Sequence, residues 1–180
     1  MKVWSFVFCL AITLYCKTEK LEYEERALQI TTEAKTNLSK KLMEAMKEGG
    51  TKKAIPFCHE NALTFTESLG KKANVELKRI SNRPRNPKNA LTKEEKEIFS
   101  LVQSAKGKDG VFPNHLVSSD RAVTVFVPIT IQGQCVQCHG KPEGMEKETK
   151  EILKTLYPND LALGYEVGDL RGLFAVTFKK

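Results

Sequence analysis

Polar and apolar positions divide the chain into segments of different period. Val3 to Tyr15 is almost wholly apolar, and Lys17-Thr-Glu-Lys20 then turns polar. From Leu21 to Glu48 apolar residues recur at helical spacing, at Ala27, Ile30, Ala34, Leu38, Leu42, Ala45 and Met46. That period predicts one long amphipathic helix, closed by Gly49-Gly50. Ala54 to Leu69 predicts a second helix with Gly70 as its stop, and Val75 to Ile80 alternates like a short strand. Ser81 to Ala90 holds two prolines, two arginines and three asparagines, which predicts a turn cluster. Thr92 is placed to cap a third helix, with Glu95 completing a capping box; the helix runs to about Ala105 and Gly107 to Gly110 turns the chain. Arg121 to Ile131 is β-branched and apolar and predicts a strand. Glu146 to Leu156 predicts a fourth helix, broken by Pro158-Asn159-Asp160. Ala162 to Val167 and Leu173 to Phe178 predict a closing hairpin that turns through Gly168 to Gly172.

Long helices come first and short strands later, without regular strand–helix alternation. The expected class is therefore α+β, an antiparallel sheet with long N-terminal helices and flanking helices. The 180 residues suit one domain with a sizeable core, and no internal repeat or low-complexity linker divides them. The opening apolar run is too short to span a bilayer comfortably and, behind Lys2, suits a secretory signal peptide. The expected division is a leader at 1–16, an N-terminal helix at 17–53 and a domain at 54–180. Cys16 stands where a lipoprotein signal places its modified cysteine, whereas Tyr15 is not the small residue that usually precedes it. Lipidation of Cys16 as a membrane tether and an unmodified start beyond it both stay open. Cys9 lies in the apolar run and should leave with the leader. The expected location is periplasmic or otherwise extracytoplasmic. No second hydrophobic span follows before Lys180, so no attached kinase, cyclase or membrane-bound output module is expected.

Charge changes the picture little. The formal net charge is +7, and removing Lys2 with the leader leaves +6. The surplus is spread over mixed Lys/Glu segments such as Lys40 to Lys53 and Lys93 to Lys96, with no aromatic residues interleaved. It reads as solvated helix surface with attraction for acidic partners or anionic lipid, not as a nucleic-acid surface.

The chemistry concentrates in Gln132-Gly-Gln-Cys135-Val-Gln-Cys138-His139-Gly140. Two thiols at this C-x-x-C-H spacing can add to the two vinyl groups of one haem, with the adjacent His139 held under the iron as proximal ligand. The alternatives are a redox dithiol, half a zinc site, or coincidence. A redox pair does not require the histidine, and prefers a thioredoxin-like βαβ setting not visible here. A zinc site needs a second ligand pair, and the chain beyond the leader offers no second C-x-x-C and no close histidine pair. Covalent haem attachment in bacteria is completed outside the cytoplasm, which agrees with a leader. Small, mostly helical c-type cytochromes carry the motif near the mature start; here it begins at Cys135.

Candidates for a sixth iron ligand are Cys58, His59, His115, Met43, Met46 and Met145. Met43 and Met46 lie on the long helix, where an apolar face should be packed as core. Met145 follows the motif closely and is near in sequence to reach the opposite face. His115 sits in a Pro-Asn-His segment that reads as a turn. Cys58 and His59 are neighbours, pointing about 100° apart on a helix, so both cannot comfortably ligate one iron. Cys58 is placed near a helix start, where the dipole favours a thiolate. Arg79, Arg83 and Arg85 match carboxylate geometry and could pair with haem propionates; the alternative is that they are solvent-facing turn residues. Asp169 and Arg171 read as structural, and Gly164, Gly168 and Gly172 as tight turns.

From about Ala54 to Lys180 the chain resembles a family of bacterial haem-c domains with a PAS-like α/β fold. Some members are single periplasmic or membrane-tethered domains; others are the sensory front end of signalling proteins. The resemblance rests on Ala54-Ile-Pro-Phe-Cys58, on Arg79-Ile-Ser-Asn-Arg83-Pro-Arg85-Asn-Pro-Lys-Asn-Ala90, on Cys135-Val-Gln-Cys-His-Gly140 and on Tyr157-Pro-Asn-Asp to Gly-Asp-Leu-Arg-Gly172, in that order. It implies one covalent haem c per chain with mixed His/Cys axial ligation, His139 proximal and Cys58 distal. It also implies that the Arg-Asn-Pro and Gly-Asp-Leu-Arg-Gly segments build the haem surroundings. The chain departs from the pattern where His59 follows the cysteine and where Leu91-Thr-Lys replaces a common Pro-Asp. The first change leaves a ligand switch from Cys58 to His59 open.

Six-coordinate iron leaves no vacant position for a substrate, so no enzyme activity is expected. An axial thiolate favours ferric iron and lowers the reduction potential. The expected function is a low-potential electron-transfer protein working with a separate redox partner. The alternative is a haem-based redox or gas (nitric oxide, carbon monoxide) sensor acting through a separate signalling partner. A third reading is a zinc or dithiol structural protein without haem.

Overall fold

The computed structural model describes the backbone of residues 4–180 and the side chains of residues 19–180. The leader reading of 1–16, with Cys9, Cys16 and its lipidation, concerns side chains outside the described residues. Among the described residues no helix is long and apolar enough to cross a membrane.

The elements run α1 (Trp4–Lys72), β1 (Glu76–Ile80), α2 (Lys93–Ser104), β2 (His115–Ser118), β3 (Ala122–Thr130), α3 (Val136–His139), α4 (Lys147–Leu156) and β4 (Leu170–Lys179). The fold is α+β: a long N-terminal helix and a four-stranded antiparallel sheet in the order β1-β4-β3-β2. The two expected long helices are the two arms of α1. They meet at Gly49 (φ −172°, ψ 31°) and Gly50 (φ 60°, ψ −152°), a conformation at Gly50 open essentially only to glycine. The second arm folds back along the first: Arg26 donates to Ala73 O at 3.2 Å, and Lys72 pairs with Glu33 at 3.1 Å. The apex is tied to α4 by a buried hydroxyl pair, Thr51 and Thr149, 2.6 Å apart.

Alternation along β4 sorts the core into two layers. Phe174, Val176 and Phe178 face α1, where they pack with Ala27, Ile30, Ala34 and Leu69, and with Leu77, Val125 and Val127 of the neighbouring strands. Leu173 and Ala175 face the other way, against Phe99 and Val102 of α2 and against Phe112. The capping box of α2 is present, with Thr92 Oγ1 accepting from Glu95 N and the Glu95 carboxylate accepting from Thr92 N.

Three local expectations change. The first half of the expected closing hairpin, Ala162 to Val167, is not a strand. β4 already has β1 on one side and β3 on the other, so no sheet position remains for it. Its amides turn instead to the segment after β3: Gly164 N donates to Gly140 O and Tyr165 N to His139 O. His115 lies in strand β2, paired with Phe126, rather than in a turn. Met43 is 43% exposed rather than core, because the first arm's end runs past the sheet; Met46 is half-buried.

Candidate functional site

The segment 132–140 leaves the end of β3 as a single 3-10 turn, Gly133–Cys135, followed by the one-turn helix α3. One turn is enough to set Cys135 and Cys138 three residues apart on neighbouring surface, both half-buried and both free thiols. Cys135 and Val136 pack on Ile131, Ala162 and Tyr165. Cys138 packs on a second cluster of Ile55, Met145, Leu153 and Tyr157. The motif is therefore held between the second arm of α1, helix α4 and the 161–169 loop.

That loop fixes His139. The imidazole Nδ1 lies 2.8 Å from Ala162 O, and Tyr165 N donates to the His139 carbonyl at 2.9 Å. Burial holds the His139 pKa well below its ordinary value, and Arg85 and Arg171 push the same way. The ring is thus neutral at pH 7. With Nδ1 donating to Ala162, the lone pair sits on Nε2, which has no partner among the described residues. A neutral imidazole oriented by a backbone carbonyl is a metal ligand's arrangement.

Cys58 approaches from α1. It follows Ile55 by three residues, so the two share one helix face, and Ile55 packs in the cluster that takes Cys138. Cys58 is not at a helix start, as expected from sequence; the arm begins at the Gly49-Gly50 break, well before it. Its thiol pKa is raised, not lowered: burial pushes it up, while Arg79 and Arg85 oppose that. Burial likewise raises Cys138, against Arg85. His59 is exposed at the rim, its ring edge-on to Tyr157 at 5.0 Å, beside a shallow pocket lined by Arg85, Asn86, Pro87 and Asn159. Met145 is buried in the Cys138 cluster, whereas His115 on its edge strand belongs to neither cluster around the motif.

The three arginines separate by what their donors already do. Arg85 is committed: Nε donates to Asp160 Oδ2 at 2.9 Å, and Nη2 donates to Ala162 O and Cys138 O. Asp160 Oδ1 in turn accepts from Ala162 N at 2.8 Å. Arg83 donates Nε to Leu161 O at 3.2 Å and lies over the Tyr165 ring, 4.1 Å from its centre. Arg79, on β1, has a buried Nε without a hydrogen-bond partner. Arg171 joins them, with Nη1 on Ser81 Oγ at 2.8 Å and on Arg83 O at 3.2 Å. Asp160, Ser81, Tyr157 and Tyr165 were not singled out from sequence as site residues. Their partners lie tens of residues away, and no local pattern marks them.

Four guanidinium groups thus surround the motif, and among the described residues Asp160 is the one carboxylate paired with them. The site carries a surplus of buried positive charge and donor capacity, an uncharged imidazole with one free nitrogen, and three free thiols. Among the described residues no three His, Cys, Asp or Glu side chains gather as a metal cluster. A zinc reading has no second ligand pair here.

A family model described as Tll0287-like matches residues 17–178. No curated protein matches the chain. The crystal structure of the cyanobacterial heme-protein Tll0287 has the same fold, with a TM-score of 0.64 and 21% sequence identity, covering 86% of this chain and 95% of that one.

Proposed function

The chain belongs to the Tll0287-like family, and on that premise we propose that it is a c-type haem protein and a low-potential electron carrier. In this reading Cys135 and Cys138 hold one haem covalently, His139 is the proximal ligand and Cys58 the distal one. The observation that carries it is the state of His139, neutral and with Nε2 free beside two free thiols. The related solved structure is that of a heme-protein, which supports the same reading. The donor set fits the group as well: the buried, unpartnered Arg79 Nε is suited to a carboxylate, and haem brings two. Arg83 adds charge beside it, while Arg85 serves by holding Cys138 and Ala162 in place. When bound, the haem supplies one-electron chemistry, its potential lowered by an axial thiolate. With both axial positions filled by protein, the site suits transfer to a separate redox partner rather than catalysis. Export by the 1–16 leader to an extracytoplasmic location, with Cys16 as a lipid anchor, belongs to the same proposal. Mass spectrometry of the mature N-terminus tests that part.

A second reading, a haem-based redox or gas sensor acting through a partner, is favoured by one observation. Burial raises the Cys58 thiol pKa, so the neutral thiol is the preferred form wherever less positive charge faces it. A ligand that leaves on reduction suits sensing; one that stays suits transfer.

The deciding experiment is the absorption spectrum of protein exported in a host that matures c-type cytochromes. The expected result is a low-spin c-type spectrum from haem that resists acid–acetone extraction, with thiolate-to-iron bands when oxidised. A colourless protein sinks the proposal. Carbon monoxide binding by the reduced form decides for sensing.

A further inference from the structure

The described residues contain two buried side-chain polar atoms without a hydrogen-bond partner, Arg79 Nε and the Tyr165 hydroxyl. Both lie in the layer around the motif. Tyr165 is 4% exposed, so water does not relieve its hydroxyl. A buried polar group left unpaired costs stability, and native proteins rarely tolerate it without a reason. The environment of this phenol says what the missing partner is. The Arg83 guanidinium lies 4.1 Å from the ring centre and that of Arg171 5.4 Å. The His139 ring stands edge-on at 6.4 Å, and Cys135 and Val136 pack against the same cluster. Two cations beside a donor with nothing to donate to describe a seat for an anion. The nearby acid of the chain, Asp160, is already shared between Arg85 and Ala162 N.

We infer that the Tyr165 hydroxyl is a carboxylate-binding donor of the haem site, taking one of the haem's two acidic side chains while Arg79 Nε takes the other. The inference rests on the haem reading above and deepens it. Tyr165 is then a positioning residue twice over. Its backbone amide holds the His139 carbonyl at 2.9 Å, and its side chain fixes the cofactor's edge. Two unpartnered donors for two carboxylates is the match that carries it.

The test uses haem-loaded protein and two variants, Tyr165→Phe, which removes only the oxygen, and Tyr165→Leu, which also removes the ring. In Tyr165→Phe the resonance Raman band of the haem carboxylate side chains should shift, with the His/Cys visible spectrum unchanged. The midpoint potential should fall, because carboxylate charge is left less compensated near the iron. A fall of up to roughly tenfold in the electron equilibrium is expected, about 59 mV for one electron. A carboxylate band and potential unmoved in Tyr165→Phe but disturbed in Tyr165→Leu would mean that only the ring matters, and would overturn the inference alone. A wild-type protein that takes up no haem overturns the cofactor reading and this inference with it.

Discussion

At the scale of single residues, the site is defined by which polar atoms are already engaged. Cys58 is the clearest case. It is half-buried, its thiol pKa is raised by burial and opposed by Arg79 and Arg85, and it shares a helix face with a residue that packs in the Cys138 cluster. Cys58→Ala should therefore keep covalent haem, lose the thiolate-to-iron bands and raise the midpoint potential. A spectrum identical to wild type moves the distal assignment to His59. Tyr157 supplies a pH test. Burial first, then Cys58, pushes its phenol from 10.0 up to about 12. Between pH 10 and 12 the unfolded chain releases this proton before the folded one does, so stability must fall as pH rises through that window. Tyr157→Phe should flatten the alkaline decline, measured as the difference in urea midpoint between variant and wild type from pH 9 to 12. The motif residues were legible in the sequence because their spacing is local. The roles of Asp160 and Tyr165 were not, because an ion pair or an empty hydroxyl is a fact about distant partners.

At the scale of elements, local chemistry announced itself and sheet neighbours did not. Thr92 and Glu95 wrote the start of α2 into four residues, and both reciprocal hydrogen bonds are present. Thr92→Ala should cost about 1 kcal/mol of stability, read from the denaturation midpoint, with the haem spectrum unchanged. The Gly49-Gly50 break was equally legible, as was β3, whose β-branched run needs no tertiary context. The expected hairpin from Ala162 to Phe178 failed in its first half for a non-local reason. Both flanks of β4 are taken by strands from earlier in the chain, and the 161–169 loop finds its hydrogen-bond partners at Gly140, His139 and Ile131. Strand propensity described that loop's composition, whereas competition for ladder positions decided its conformation.

At the scale of the molecule, the motif sits where three remote pieces of chain converge, and Arg85 and Asp160 bind them together. Their side chains are 12% and 6% exposed, so the pair is a buried one. Arg85→Met leaves Asp160 charged and unpaired, and frees the carbonyls of Cys138 and Ala162 that orient the motif. A loss of about 3–5 kcal/mol is expected by urea denaturation, with part recovered when Asp160→Asn is added. A loss below 1 kcal/mol would show that the pair does not organise the site. Overall class was readable from element order, since helices preceding strands without alternation exclude a parallel sheet. The strand order was not readable, because nothing in a strand's own residues names its neighbour.

That strand order has a consequence for how the protein comes into being. β4, Leu170–Lys179, lies in the interior of the sheet and pairs with both β1 and β3. β1 therefore touches no other strand until β4 has arrived. A ribosome delivers this keystone last, so the sheet cannot close while synthesis is under way, and the growing chain stays open up to its final stretch. For a polypeptide that must be threaded across a membrane and meet its cofactor on the far side, late closure keeps the three thiols reachable until translation has ended.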